Sequence, residues 1–323
     1  MDKITYLCII VSRIIRVMLD KKSIFIAVVM TCYNRREKTL ACLRHLIAAE
    51  KYYGERHEQG ISLSFYITDD GCTDGTGEAV HNMLSGRDVH VVQGNGNLYW
   101  AGGMRAAWRE ALKEGDKWDF YLLQNDDTDV FPDCLGQLML THDYSLEHFG
   151  KPGIYSGITC SRTNREEITY GGYLYKRDLK GDSTLAKPSG SPQSVDLTNA
   201  NILLVPRVVV DKVGIFYSGF KHGGADYDYT GMVRKKRFPA LVTPFPCGEC
   251  DYDHPDITGQ ARLILAMDKR HRKEYFSNPT HSLDDYLLNT LRNMPLRYPQ
   301  RWIGYMLNLH FPRLYYKLHG ISL

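Results

Sequence analysis

Leu122-Leu123-Gln124-Asn125-Asp126-Asp127-Thr128 is an apolar run that ends in two adjacent carboxylates. With Trp118-Asp119-Phe120-Tyr121 in front, it has the length and the aromatic and aliphatic content of a buried β-strand. Carboxylates at the carboxyl end of such a strand fall on the rim of an open α/β sheet, where ligands bind. Side by side, they repel one another unless something cationic holds them. A divalent metal carrying a diphosphate suits the position, because hard cations take oxygen ligands. A solvated turn capping a helix from Pro132 would also place acids here; the neighbouring motifs weigh against it.

Working outward, strand and helix signals alternate. Ile24 to Thr31 is a continuous apolar, β-branched-rich run, followed by a helical pattern from Arg36 to Glu50. Ile61 to Thr68 is a second strand, then a Gly-rich turn and a helix from Thr76 to Leu84. Val89 to Val92 is a third, and a helix from Ala101 to Glu114 leads into the strand that ends at Asn125. Such alternation implies a parallel sheet with right-handed crossovers, hence an open α/β nucleotide-binding fold. Beyond it, Ile154 to Cys160 and Glu167 to Leu174 suggest antiparallel strands, and the polar stretch from Arg177 to Val195 a loop. Asn201 to Val205 reads as a strand, Arg207 to Val213 and Tyr227 to Lys236 as helices. From Ala261 the chain is helical in tendency, with Pro295, Pro299 and Pro312 expected to break it.

The bulk numbers set limits. A chain of 323 residues with 43% hydrophobic content can bury a substantial core, and a net charge of +3 does not argue for nucleic acid. The charge is uneven: from Ala261 onward ten Lys or Arg face four Asp or Glu. The eight cysteines are scattered without a preceding cleavage signal, as in a reduced, cytoplasmic protein. Cys247-Gly-Glu-Cys250 has no second pair to complete a zinc site. Ile4 to Leu19 contains Arg13 and Arg16 and is too short to span a bilayer. It is expected to form an amphipathic helix on protein or membrane.

Three more motifs sit at strand ends: Thr31-Cys32-Tyr33-Asn34-Arg35, Asp69-Asp70-Gly71-Cys72-Thr73-Asp74-Gly75-Thr76, and Asn95-Gly96-Asn97-Leu98-Tyr99-Trp100-Ala101-Gly102-Gly103-Met104-Arg105. Asp69 at a strand terminus can accept from a base N–H and Tyr33 can stack on the base. Gly102 and Gly103 at a helix start would let backbone N–H groups approach a phosphate.

These motifs, followed by Asn125-Asp126-Asp127-Thr128 and His222-Gly223-Gly224-Ala225-Asp226-Tyr227-Asp228-Tyr229, make the sequence resemble family 2 glycosyltransferases of the GT-A fold. The resemblance is strongest to the bacterial, rhamnosyltransferase-like members that build surface polysaccharides, and it covers residues 24–260. It implies a Rossmann-like nucleotide-binding half and an acceptor-binding half in one domain, residues 23–260. An amphipathic helix (1–22) would precede it and a basic, aromatic helical extension (261–323) follow. It implies that Thr31, Tyr33 and Asp69 hold the nucleobase and Asp126 the ribose, with Asn34, Arg35, Asn97, Trp100, Gly102, Gly103, Arg105 and Asn125 completing the nucleotide-sugar site. Asp127 and His254 would hold Mn2+ or Mg2+, and Asp226 would be the general base, with Asp228 as competitor. The sequence departs from the family pattern at Asn125, an amide where an acid is usual, at Ala225 in place of Glu, at Met232 in place of Arg, and at Arg105 in place of Asn.

The expected activity is inverting transfer of a sugar from a UDP- or dTDP-sugar to a saccharide or lipid-linked acceptor. A catalytically silent nucleotide-sugar-binding scaffold is the alternative, and a nucleotidyltransferase a weaker one. The tail residues Tyr298, Arg301, Trp302, Tyr305, Arg313, Tyr315, Tyr316 and Lys317 suit peripheral contact with the inner face of the cytoplasmic membrane, and equally a partner or self-association surface.

Overall fold

A computed structural model describes residues 23–176, 183–252 and 257–321. The expected helix over 1–22 and His254 lie outside the described residues. Strands β1 (Ile24–Cys32), β2 (Ile61–Asp69), β3 (Val89–Gln93) and β4 (Phe120–Gln124) run parallel, joined through helices α1 (Arg36–Gly54), α2 (Thr76–Met83) and α3 (Tyr99–Leu112). The register pairs Cys32 with Asp69, Asp69 with Gln93, and Val29 with Leu123. The carboxyl ends of all four strands therefore share one rim, and the sequence motifs that follow them meet there.

Alternation along β1 divides the core into two layers. Ile26, Val28 and Met30 pack with Leu43 and Leu46 of α1 and with Leu135 and Leu138 of α4 (Cys134–Phe149). Ala27 and Val29 face Met104 and Trp108 of α3 and Tyr229 and Val233 of a later helix. On that second face α3 lies very close to the sheet. A Cβ on Gly103 would stand 2.1 Å from Thr31 Oγ1, and Thr68 Oγ1 donates to the Gly103 carbonyl at 2.8 Å.

The second half extends the same sheet. Its strands are β5 (Asp129–Val130), β6 (Ile154–Cys160), β7 (Ile168–Tyr170), β8 (Gly172–Tyr175), β9 (Ser183–Leu185), β10 (Gln193–Ser194), β11 (Leu197–Thr198), β12 (Ile202–Pro206) and β13 (Ala240–Glu249). The ten-stranded sheet has the order β10-β13-β6-β12-β4-β1-β2-β3, with β5 on β13 and β7 on β6; β11-β8-β9 form a small second sheet. β12 is antiparallel to both β4 and β6. Helices α5 (Arg207–Val213) and α6 (Ala225–Lys235) follow β12.

The structure departs from the sequence reading in places. The sequence reading leaves 240–249 without an element, where the structure has β13; its ladder accommodates Pro244 and Pro246 through register shifts between Val242 and Pro246 and between Pro246 and Gly248. The stretch from Glu167 to Leu174 divides at Gly171, whose φ of +146° sends β7 and β8 to different sheets. The supposed loop from Arg177 to Val195 contains β9 and β10, paired with β8 and β13.

The C-terminal region forms α7 (Ile257–Ala266), α8 (Lys269–Ser277), α9 (Leu283–Asn293), α10 (Tyr298–His310) and α11 (Pro312–Leu318). Its prolines divide the helical region as expected, each by opening a new segment: Pro312 is the first residue of α11, Pro299 the second of α10, and Pro295 starts a 3-10 turn. Ala261, Ile264, Phe276, Leu309 and Tyr316 form a small core of their own. The region is nevertheless docked on the sheet domain. Arg292 Nε lies 2.7 Å from Asp228 Oδ1 and Asn293 Nδ2 donates to the same oxygen at 3.0 Å, joining α9 to α6.

Because Thr31 occupies the space beside Gly103, Gly103→Ala is expected to push α3 off β1 and cost about 1–3 kcal/mol. Urea unfolding measures this. Thr31→Ala in the same background is expected to recover part of the loss, and a Gly103→Ala protein as stable as the parent would refute the close approach.

Candidate active site

At the end of β4, Asp126 is buried and Asp127 half-buried. The cation between them is Arg35, from the loop after β1: its Nη1 lies 2.6 Å from Asp127 Oδ2 and 3.4 Å from Asp126 Oδ1. Thr39 Oγ1 of α1 donates to Asp126 Oδ2 at 3.3 Å. Burial, and then the charge of Asp127, push the Asp126 carboxyl up to about 7, against Arg35 and Thr39. Asn125 Oδ1 accepts the indole N–H of Trp100 at 2.8 Å. An amide does this without adding a third negative charge to the rim.

Above the acids is a cavity of about 380 Å³, lined by Thr31, Cys32, Tyr33, Arg35, Asp70, Gly96, Tyr99, Trp100, Asp126, His222 and Thr280. Tyr33, 55% exposed, stands at its mouth. Two larger clefts, of about 530 and 520 Å³, lie near Tyr53 and His57 and near Ile24 and Phe120. The second of these is at the amino ends of the parallel strands, the end away from which ligands bind in open α/β sheets.

Asp70 organises the cavity wall. Its Oδ1 accepts from Gly96 N–H and its Oδ2 from the N–H groups of Leu98 and Tyr99, each at 3.0 Å. With Trp100 N–H on His222 Nδ1 at 3.5 Å and Ala101 N–H on the Lys221 carbonyl at 3.2 Å, protein groups fill the amino end of α3. Gly102 and Gly103 come a turn later, where N–H groups belong to the helical ladder, so the expected phosphate cradle is not formed by them; Gly103 instead serves helix–strand contact. Arg105 is likewise taken up inside, donating to the carbonyls of Phe220 at 2.7 Å and Tyr217 at 3.1 Å.

The remaining expected residues hold turns around the cavity. Asp69 Oδ1 accepts Cys72 N–H at 2.7 Å. Asn34, with φ of +50°, accepts Thr73 N–H on Oδ1 at 2.7 Å. Asn97 is exposed, and its N–H donates to Asn95 Oδ1 at 3.0 Å.

The acids of α6 occupy different environments. Asp226 accepts from Tyr227 N–H at 2.9 Å and Ala200 N–H at 3.3 Å, and burial pushes it up to about 6 against these bonds. Asp228 is committed to Arg292 and Asn293. Gly224, not Asp226, occupies the N-cap of α6. Cys247 and Cys250 are free thiols, and the described residues contain no group of three or more His, Cys, Asp or Glu side chains placed to hold a metal ion.

The sequence reading missed Asp70, Tyr99, His222 and Thr280. Asp70 sits inside a motif already singled out, whereas Thr280 arrives from a 3-10 turn far along the chain and leaves no local signal.

Residues 27–185 match the model of glycosyl transferase family 2. The chain carries a family 2 glycosyltransferase domain. The match spans β1 to β9 and contains the acid pair and the cavity motifs; Asp226 and the C-terminal helices lie past it. The glycosyltransferase has the mixed α/β GT-A architecture, with a helical C-terminal region. Among solved structures it is similar to a mannosyltransferase from Pyrobaculum calidifontis in complex with GDP-mannose and Mn2+. The two are 13% identical with a TM-score of 0.49, over 88% of this chain and 75% of that one. No curated protein matches the sequence. Among the described residues of the glycosyltransferase, no helix is long and apolar enough to cross a membrane.

Asp70→Ala leaves three backbone N–H groups without their carboxylate and is expected to destabilise the protein by about 2–3 kcal/mol, with Asp70→Asn recovering part. Thermal and urea unfolding measure both, and an unchanged midpoint for Asp70→Ala would refute the role.

Proposed function

We propose that the protein is an inverting, metal-dependent glycosyltransferase that moves a sugar from a UDP- or dTDP-sugar to a saccharide or lipid-linked acceptor in cell-surface polysaccharide synthesis. The observation that carries this is the acid pair Asp126–Asp127, of which Asp126 lines a nucleotide-sized cavity, with a buried Asp226 on α6 that has no cationic partner among the described residues. The donor set suits a divalent cation: two adjacent carboxylates, one pushed above its ordinary range by burial and then by its neighbour's charge. Asp127 would hold Mn2+ or Mg2+, together with His254 as the sequence suggests. When bound, the ion would supply Lewis-acid stabilisation of the departing diphosphate.

The chain's own groups do the rest. Tyr33 covers the base, Thr31 and Asp69 flank it, and Asp126 faces the ribose. Arg35, released from the acids, is left near the phosphates. Asp226 takes the proton of the acceptor hydroxyl as its oxygen bonds to the anomeric carbon, and the bond to the diphosphate oxygen breaks with its electron pair. One base and no protein nucleophile give inversion. Asp228, tied to Arg292, keeps α9 in place rather than competing for the proton. Exposed Leu296, Trp302, Ile303, Phe311 and Leu314 support peripheral contact of the C-terminal helices with the inner face of the cytoplasmic membrane.

Nucleotide release with Mn2+, donor and acceptor is expected to vanish in Asp127→Ala; retained activity would refute the metal assignment. A base with a pKa of about 6 must be deprotonated to act, so turnover is expected to rise with pH through about 6 and level above it. Asp226→Asn is expected to lose this limb and at least about 10²-fold in rate, and an unaltered pH profile would refute its role. Binding of donor without any turnover would favour the scaffold alternative. Sedimentation with anionic vesicles at low salt tests the membrane contact: full-length protein left in the supernatant would rule it out.

A further inference from the structure

The helices that follow the sheet domain enclose a cavity of their own. It measures about 250 Å³ and lies between α9, α10 and α11, lined by Tyr286, Arg301, Gly304, Tyr305, Asn308 and Tyr315, among others. It shares no lining residue with the donor cavity. One wall is a face of α10: Arg301, Gly304, Tyr305 and Asn308 stand at i, i+3, i+4 and i+7, a single stripe of the helix. Tyr286 comes from α9 and Tyr315 from α11, and with Tyr305 they give the space an aromatic lining.

Two polar groups on this stripe lack partners within the described chain. Arg301 is half-buried, and among the described residues no carboxylate lies within ion-pair distance of it. Its guanidinium lies over the ring of Tyr286, 5.5 Å from the centroid. Burial pushes the phenols of Tyr286 and Tyr315 up and Arg301 pulls both back, as a cation near both rings does. Exposed Asp284 bears on the Tyr305 phenol, after burial, and is not paired with Arg301. An aromatic face compensates a cation only in part, whereas the planar fork of a guanidinium matches a carboxylate or a phosphate. Asn308 is 9% exposed, and its buried Oδ1 has no hydrogen-bond partner among the described residues. A buried acceptor of this kind calls for a donor. Gly304 keeps the space between the two open. It is in the interior of α10, where glycine costs helix stability relative to alanine. No tight contact requires it, since a Cβ there would meet Tyr315 Cε2 at 3.7 Å, an ordinary van der Waals distance.

We propose that this cavity is a second saccharide site, separate from the transfer centre, which binds a sugar ring carrying an acidic substituent. Arg301 holds the carboxylate or phosphate, the tyrosine rings lie against the C–H face of the sugar, and Asn308 Oδ1 accepts from a hydroxyl. An alkyl chain would leave Asn308 unsatisfied, and an uncharged sugar would leave Arg301 without its counter-charge. Arg301 and Asn308 are two turns apart on one face of the helix, so one ligand with an acid at one end and hydroxyls at the other addresses both.

Calorimetric titration of the full-length chain with glucuronate, glucose 1-phosphate, glucose and acetate tests the site. At least one of the two acidic sugars is expected to bind, with glucose and acetate weaker by about tenfold or more. Arg301→Gln is expected to weaken the acidic sugar by about tenfold or more. Arg301→Lys, which keeps the charge and loses the fork, is expected to fall between. Gly304→Leu, which fills the cavity, is expected to abolish binding, and Gly304→Ala to keep it. Thermal unfolding shows which variants are folded, and Arg301→Lys keeps the test readable if the larger changes unfold the helices. Binding of only one acidic sugar identifies the carboxylate or the phosphate as the group read; binding of both means that Arg301 reads either. Absence of binding by both, glucose or acetate as tight as the acidic sugars, unchanged binding in Arg301→Gln or in Arg301→Lys, or full binding in folded Gly304→Leu would overturn the proposal.

Discussion

Two adjacent carboxylates at the end of a buried strand must be supplied with positive charge, and much of the site follows from that constraint. Hydrophobic burial of β4 between β1 and β12 fixes where the acids emerge. Parallel pairing with β1 then brings the Thr31–Arg35 loop to the same rim, and with it the Arg35 guanidinium at 2.6 Å from Asp127. Arg35 compensates only partly, since Asp126 remains pushed up to about 7. Burial is the larger cause of that shift and the charge of Asp127 the second.

A fixed cation on one of them has separated two buried acids that the sequence leaves equivalent. Asp226 and Asp228 lie two residues apart, at the start of α6. Asp226 has burial, backbone N–H groups and the Asn199 side chain, which together hold it near 6, whereas Asp228 has Arg292 at 2.7 Å. A carboxylate with a fixed cation makes a tether; one buried without a cation can exchange a proton near neutrality.

The C-terminal helices take part in the site rather than hanging from it. Asp285 of α9 accepts the His222 N–H at 2.9 Å and, more weakly, that of Lys221. The Lys221 carbonyl in turn accepts Ala101 N–H at the start of α3. Thr280 completes the donor cavity and Arg292 anchors Asp228. A boundary at residue 261, suggested by the change in charge, therefore marks a change of composition across a region that remains physically joined.

The strand-end motifs were legible because their information is local. Apolar runs of strand length followed by Asp, Asn and Gly specify where the chain leaves the sheet, and parallel alternation specifies that those exits share an edge. The sequence by itself determined the fold class, the order of the first four strands' motifs and the acid pair with its need for a cation. Tertiary structure alone decided that Arg35 meets Asp126 and Asp127, that Asp70 caps the loop before α3, and that Gly103 makes room for Thr31. It also turned Arg105 inward and assigned different surroundings to Asp226 and Asp228. Those outcomes depend on distances between residues far apart in the chain, and on how much water each group loses, and neither is written in the local pattern.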